Sequence, residues 1–133
     1  MKILVFGAGV LGCNLARNLF RAGKDVTLLA RGSWADEIRQ NGLRIKDKFS
    51  PRLSVSRIPV VTELKPEDRY DVIFVVVRYT QIDSILDVLR ANGTKNIVCV
   101  GNNVRAEALA ASLPGKNVLF AFALSAGHRE SDR

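Results

Sequence analysis

The run Gly7-Ala8-Gly9-Val10-Leu11-Gly12 constrains this chain more than any other feature. It directly follows an apolar stretch, KILVF at residues 2–6, and opens a segment of helical periodicity. In that segment Leu11, Leu15, Leu19 and Ala22 recur on one face, with Arg17 and Arg21 on the other. Glycines at this spacing arise by chance, but a strand running through them into a helix is the entry to a βαβ unit of about 30 residues. Each glycine then has a physical job. Gly7 permits the tight turn, Gly9 lets the backbone approach a pyrophosphate, and Gly12 lets helix pack on strand. The N–H groups of this segment, with those of Ala8, Val10 and Leu11 among them, and the positive end of the helix dipole would stabilise phosphates.

The rest of the chain alternates strand and helix, which predicts a parallel α/β architecture. Gly23 stops the first helix, DVTLLA at 25–30 reads as a second strand, and a short helix is expected over 34–40. The stretch 42–61 differs. Leu43, Ile45, Leu53, Val55 and Ile58 alternate around a Ser-Pro turn, which predicts a β-hairpin or a third strand with an antiparallel excursion. A polar connector, 62–69, leads to the most apolar strand, 72–77. Thr80 is the expected cap of the next helix, whose Ile82, Ile85, Leu86 and Leu89 face inward and which Asn92-Gly93 ends. A fifth strand at 97–100, a helix at 104–113 and a sixth strand at 118–124 complete the pattern. The fold class is therefore α/β, a doubly wound, mostly parallel sheet with a hairpin excursion in its middle, over residues 1–133 as one domain.

Composition limits the function classes. A hydrophobic fraction of 47% excludes a disordered chain. No apolar run reaches the roughly 20 residues that span a bilayer, so a soluble, cytoplasmic domain without a membrane partner is expected. Cys13 and Cys99 are too few for a disulfide framework and sit in apolar stretches, where free cysteine acts as a small hydrophobe. No metal-ligand cluster is visible. The net charge of +7 calls for an anionic partner. A basic stripe of Arg39, Arg44, Lys46, Lys48, Arg52 and Arg57 has only Phe49 interleaved as a stacking platform, so a solvated hairpin face is the simpler reading than nucleic acid. A phosphate-rich small molecule is the other natural partner.

The end of the second strand decides which one. A site for NAD normally has an acid there to accept from the ribose hydroxyls. This chain has Leu28-Leu29-Ala30-Arg31-Gly32-Ser33 instead. The Arg31 guanidinium suits a 2′-phosphate, and Ser33 adds a hydroxyl donor, so NADP(H) is the expected cofactor. The carboxyl ends of other strands should line the same crevice, contributing Val77, Arg78, Asn102 and Asn103. One of the two asparagines would cap the following helix and the other orient a ligand. His128 is expected to be solvated.

With these residues in view, the chain resembles the N-terminal Rossmann domain of the ketopantoate reductase (2-dehydropantoate 2-reductase) family. The likeness runs through KILVFGAGVLG, VTLLARG, NGLRI, DVIFVVVRYTQ and the asparagine after the fifth strand. It implies reduction of a 2-keto acid with NADPH by hydride transfer, in pantothenate biosynthesis. It places Gly7 to Gly12 on the pyrophosphate and Arg31 on the 2′-phosphate. Asn102 falls between nicotinamide and substrate, and Ala126 and Gly127 beside the cofactor. Two positions depart from the family pattern: Arg78 stands for a common lysine, and Asn103 for a common glycine. The resemblance further implies that the general acid belongs to a helical C-terminal domain not present here, so this chain would hold cofactor without turning over. A stand-alone dinucleotide-sensing module is the alternative function, against which Arg31 counts. A basic interaction domain is a third.

Overall fold

The computed structural model describes residues 1–46, 53–77, 79–100 and 111–121. Strand β1 (Lys2–Phe6) leads into helix α1 (Val10–Arg21), β2 (Asp25–Leu29) and α2 (Gly32–Asn41). The strands β3 (Leu43–Lys46), β4 (Leu53–Ser56) and β5 (Val60–Val61) follow. After them come β6 (Val72–Val75), α3 (Tyr79–Ala91), β7 (Asn96–Val100) and β8 (Asn117–Ala121). Among the described residues, six strands form one sheet in the order β5-β2-β1-β6-β7-β8. Every pair in it is parallel, with Lys2 to Phe6 facing Asp25 to Leu29 and Ile3 to Phe6 facing Val72 to Val75.

Alternation explains why β1 is apolar at successive positions. Ile3 and Val5 enter a core with Cys13 and Ala16 of α1, Ala35 and Ile38 of α2, and Leu43 of the hairpin. Leu4 and Phe6 enter a second core with Ile85 and Leu89 of α3 and Leu113. A strand buried on both faces leaves no position for a polar side chain, and helices cover the sheet on both sides.

The middle of the chain resolves into both of the predicted alternatives. β3 and β4 pair antiparallel as a separate two-stranded sheet, and the sheet's third strand is only Val60–Val61, parallel to Leu28 and Leu29 of β2. Three arginines of the basic stripe are bonded to neighbouring elements. Arg44 pairs with Glu37 of α2 at 2.6 Å, Arg57 donates to the Gln40 carbonyl at 3.0 Å, and Arg39 donates to the Val60 carbonyl at 3.3 Å. These contacts tie the hairpin and β5 to α2. Lys48, Phe49 and Arg52 lie outside the described residues, as does the side chain of Lys46.

Two expectations need correction. Arg17 is not on a solvated face: it is only 7% exposed, and its Nε donates to the Asn18 side chain at 3.1 Å. Helix α1 packs against the hairpin as well as the sheet, so its buried stripe widens to Gly12, Cys13, Ala16 and Arg17 while the leucines flank it half-buried. Helix α3 begins at Tyr79, which puts Thr80 inside the first turn rather than at the cap. Its side chain, with that of Ile82, lies outside the described residues.

The end of the sheet opposite the glycine run is closed by a polar knot. Asn92, 1% exposed, donates to the carbonyls of Lys65 and Asp68, both at 2.8 Å, and accepts from the Thr94 N–H at 2.9 Å. Lys116 donates to the carbonyls of Asn92 and Thr94 at 2.7 and 2.6 Å, placing its charge at the carbonyl end of α3. By sequence, Asn92 is no more than a helix stop. Removing its side chain leaves the buried Thr94 N–H without its acceptor and takes one donor from each of two carbonyls, which keep the Asp68 N–H and the Arg69 guanidinium. Asn92→Ala should therefore lower stability by about 1–3 kcal/mol in urea unfolding. A loss below about 0.5 kcal/mol would show that the knot is not holding the loops.

Candidate functional site

The chain runs outward from β1 through β2 to β5, then returns to the other side of β1 to make β6. That reversal leaves a crevice beyond the carboxyl ends of β1 and β6, the place where open α/β sheets receive ligands. The glycine run lies there. Gly7 N–H donates to the Leu29 carbonyl at 3.3 Å, and Val76 N–H to the Phe6 carbonyl at 2.9 Å, so the turn is bonded to the strand on each side of β1.

The three glycines differ in what surrounds them. Gly7 has φ +125°, and a Cβ on it would collide with the Val76 carbonyl oxygen. A Cβ on Gly12 would sink into the Gly7 carbonyl, because α1 crosses the turn at backbone contact. Gly9 is exposed, has φ −78° and ψ −169°, and would meet nothing within 4 Å. The first two are required by the fold. The third has an ordinary backbone conformation and opens onto empty space.

Helix α1 starts at this opening with no side chain capping it and no acid in its first turn. Its first backbone bond runs from Cys13 N–H to the Gly9 carbonyl at 2.9 Å, leaving the N–H groups of Val10, Leu11 and Gly12 without a helical acceptor. Uncapped donors at the positive end of a helix, beside a glycine lacking a side chain, fit an anion such as a pyrophosphate. Val10 and Leu11 are half-buried, as is Val77 at the end of β6.

Arg31 follows Ala30 at the carboxyl end of β2 and is the N-cap residue of α2. It is exposed and has no ion-pair partner among the described residues. Gly32, at φ +61°, turns the chain into α2 and places the exposed Ser33 in its first turn. The acids of α2 are engaged elsewhere, Asp36 with Arg39 at 3.8 Å and Glu37 with Arg44 at 2.6 Å. The end of β2 therefore presents a cation and a hydroxyl, with no carboxylate to accept from a ribose diol.

One contact at the site had no counterpart in the sequence reading. Trp34, also in the first turn of α2, donates its indole N–H to the Ala8 carbonyl at 2.8 Å, and the Cys13 thiol reaches the same oxygen at 3.3 Å. The parallel pairing of β1 with β2 brings the starts of α1 and α2 side by side, which makes an aromatic donor in the α2 first turn a detectable signal. Arg78, Asn102, Asn103, Ala126, Gly127 and His128 lie outside the described residues.

A sequence model described as "Ketopantoate reductase PanE/ApbA" matches residues 3–133. The chain belongs to the ketopantoate reductase family. A 2-dehydropantoate 2-reductase of Pyrococcus horikoshii is 30% identical over 98 residues, which are 74% of this chain and 30% of that protein. The solved 2-dehydropantoate 2-reductase of Methylococcus capsulatus superposes with a TM-score of 0.80 at 21% identity, over 99% of this chain and 44% of that one. The fold also matches a D-mandelate dehydrogenase solved with NADH and anilino(oxo)acetate, with a TM-score of 0.77 at 24% identity, over 90% of this chain and 40% of that one. The chain thus spans less than half the length of these relatives.

No group of three or more His, Cys, Asp or Glu residues able to hold a metal occurs among the described residues, and no helix there is long and apolar enough to cross a membrane. Both cysteines are buried, and burial pushes the Cys99 thiol up to about 11. Its thiolate is disfavoured in the folded state, so this contribution to stability is whole below the unfolded thiol value near 9 and is lost as pH rises through 11. A thiol reagent at pH 8 should label neither cysteine of the native protein rapidly and both after denaturation. Rapid native labelling would contradict the burial of the two thiols.

The glycines separate stability from binding. Gly9→Ala should leave the unfolding free energy within about 1 kcal/mol while obstructing an anion at the turn. Gly12→Ala should cost more than about 2 kcal/mol, since backbone must move. Thermal unfolding distinguishes them, and equal losses for both would contradict the open space at Gly9.

Proposed function

We propose that this chain is the NADP(H)-binding domain of a reductase that converts a 2-keto acid, of the 2-dehydropantoate type, to its 2-hydroxy acid. The observation that carries the reading is the pairing, at the switch point of the sheet, of two features suited to anions. One is the uncapped start of α1 behind Gly9, and the other is Arg31 at the end of β2. The first suits the pyrophosphate common to all nicotinamide dinucleotides. The second suits the 2′-phosphate that only NADP(H) carries, and the engagement of Asp36 and Glu37 with arginines argues against NAD.

In this reading Gly7 to Gly12 hold the pyrophosphate through backbone N–H groups, and Arg31 with Ser33 holds the adenosine 2′-phosphate. Val77 follows β6, where its half-buried side chain would exclude water, and Arg78, next in the sequence, would add a cation. Asn102, with Ala126 and Gly127, would meet the nicotinamide half, and Asn102 would also orient the keto acid. The nicotinamide supplies the hydride to the substrate's carbonyl carbon. The alkoxide that forms needs a positioned proton donor. The family resemblance assigns that donor to a further domain, and the relatives' greater length agrees with it. The chain by itself is therefore proposed to bind cofactor and not to turn over.

Calorimetric titration tests this. The chain should bind NADPH more tightly than NADH. Arg31→Ala should weaken NADPH roughly tenfold to hundredfold and NADH by less than about threefold, the value of a charge-assisted hydrogen bond. Tighter binding of NADH by the unaltered chain would overturn the cofactor assignment. Failure to bind either dinucleotide would overturn the function.

A further inference from the structure

The Ala8–Gly9 peptide is where the glycine turn meets the start of α2. Its carbonyl is held by two donors from different elements, the Trp34 indole at 2.8 Å and the Cys13 thiol at 3.3 Å. A trans peptide is planar, with its N–H directed opposite to its C=O. Fixing the Ala8 carbonyl toward α2 and α1 therefore fixes the Gly9 N–H in the opposite direction. That N–H has no acceptor among the described residues, and the glycine carrying it faces empty space. Trp34 stands three residues after Arg31, in the first turn of the helix that Arg31 caps. Its ring packs, half-buried, against the same core as Ala8 and Leu11.

We propose that Trp34 is a positioning residue for cofactor binding: by holding the Ala8 carbonyl, it aims the Gly9 N–H at the pyrophosphate and couples the glycine turn to the loop that reads the 2′-phosphate. The inference rests on the dinucleotide reading above and deepens it. A glycine-rich turn is conformationally permissive, so an unheld Ala8–Gly9 peptide would be free to rotate its N–H away. Holding it in place before the ligand arrives removes that ordering from the cost of binding. Because Trp34 shares α2 with Arg31 and Ser33, a displacement of that first turn by one phosphate is transmitted to the donor facing the other.

Two half-ligands separate the subsites. ADP carries the pyrophosphate without a 2′-phosphate, and 2′-AMP carries the 2′-phosphate without a pyrophosphate. Trp34→Phe keeps an aromatic ring and removes the N–H. It should weaken ADP roughly tenfold, the loss of one well-aimed hydrogen bond to a charged group, and change 2′-AMP by less than about twofold. Trp34→His, which retains a ring donor, should recover part of the ADP affinity. Unchanged ADP binding overturns the proposal. Equal losses of ADP and 2′-AMP also overturn it, since they mark a general loosening of α2.

A second measurement needs no substitution. The chain has one tryptophan, so its indole proton is a single resonance. Adding ADP to the unaltered chain should shift that resonance together with the Gly9 amide. A Gly9 shift with a stationary indole proton would overturn the coupling even if Trp34→Phe failed to fold. Absence of binding by ADP, 2′-AMP and NADPH alike to the unaltered chain would instead sink the dinucleotide reading, and this inference with it.

Discussion

Three backbones meet beyond the end of β1, and almost everything else about this molecule depends on how closely they approach. The turn at Gly7 lies against the Val76 carbonyl, and α1 crosses at Gly12 against the Gly7 carbonyl, with no room for a Cβ at either position. The packing lowers α1 onto the sheet through its small residues, Gly12, Cys13 and Ala16, and aims the helix N-terminus across the carboxyl ends of β1 and β6. A larger side chain at Gly7 or Gly12 would lift the helix and close the crevice. The uncapped helix start is thus a by-product of backbone contact, with Gly9 the one glycine of the three whose freedom from a side chain serves space and not folding.

Polar groups divide the two ends of the sheet. At the amino ends of the strands hydrogen bonds are satisfied internally. Asp71 accepts from the Lys2 N–H at 2.6 Å and its own carbonyl accepts from Asn96 at 3.0 Å, while Asn117 donates to Asn96 at 3.1 Å. Asn92 and Lys116 close the loops beneath α3. At the carboxyl ends, several donors have no partner among the described residues: the first-turn N–H groups of α1, the Gly9 N–H and the Arg31 guanidinium. A buried polar group without a partner is costly, whereas one facing a crevice is available to a ligand. By this contrast one end holds the fold together, and the other is the end to which the proposed binding is assigned.

Much of this was legible beforehand because period and punctuation are local. The bounds of β1, the start of α1 at the glycine run and the stop at Gly23 follow from neighbouring residues. So do the strand character of 25–29 and the hairpin character of the stretch from Leu43, though not its register, which sets Leu43 opposite Ser56 and Ile45 opposite Ser54. The residues that misled are those whose environment is set by distant chain. Arg17 reads as a solvent-facing cation until α1 is found packed under the hairpin. Arg39, Arg44 and Arg57 read as a basic stripe until each is seen bonded to α2, its neighbouring carbonyls or β5. Asn92 reads as a stop until the connector 62–69 wraps over it.

The sequence by itself determined the strand–glycine–helix unit, the parallel class of the sheet and the absence of an acid after β2. Short-range sterics and side-chain periodicity settle these without knowledge of the partners. Tertiary structure alone decided which donors find partners among the described residues. Trp34 lies 26 residues from Ala8 in sequence and 2.8 Å from its carbonyl in space. That meeting exists only because β1 and β2 pair in parallel and set α1 and α2 side by side. The direction of a peptide N–H, and so the aim of a binding site, is a property of the packed molecule.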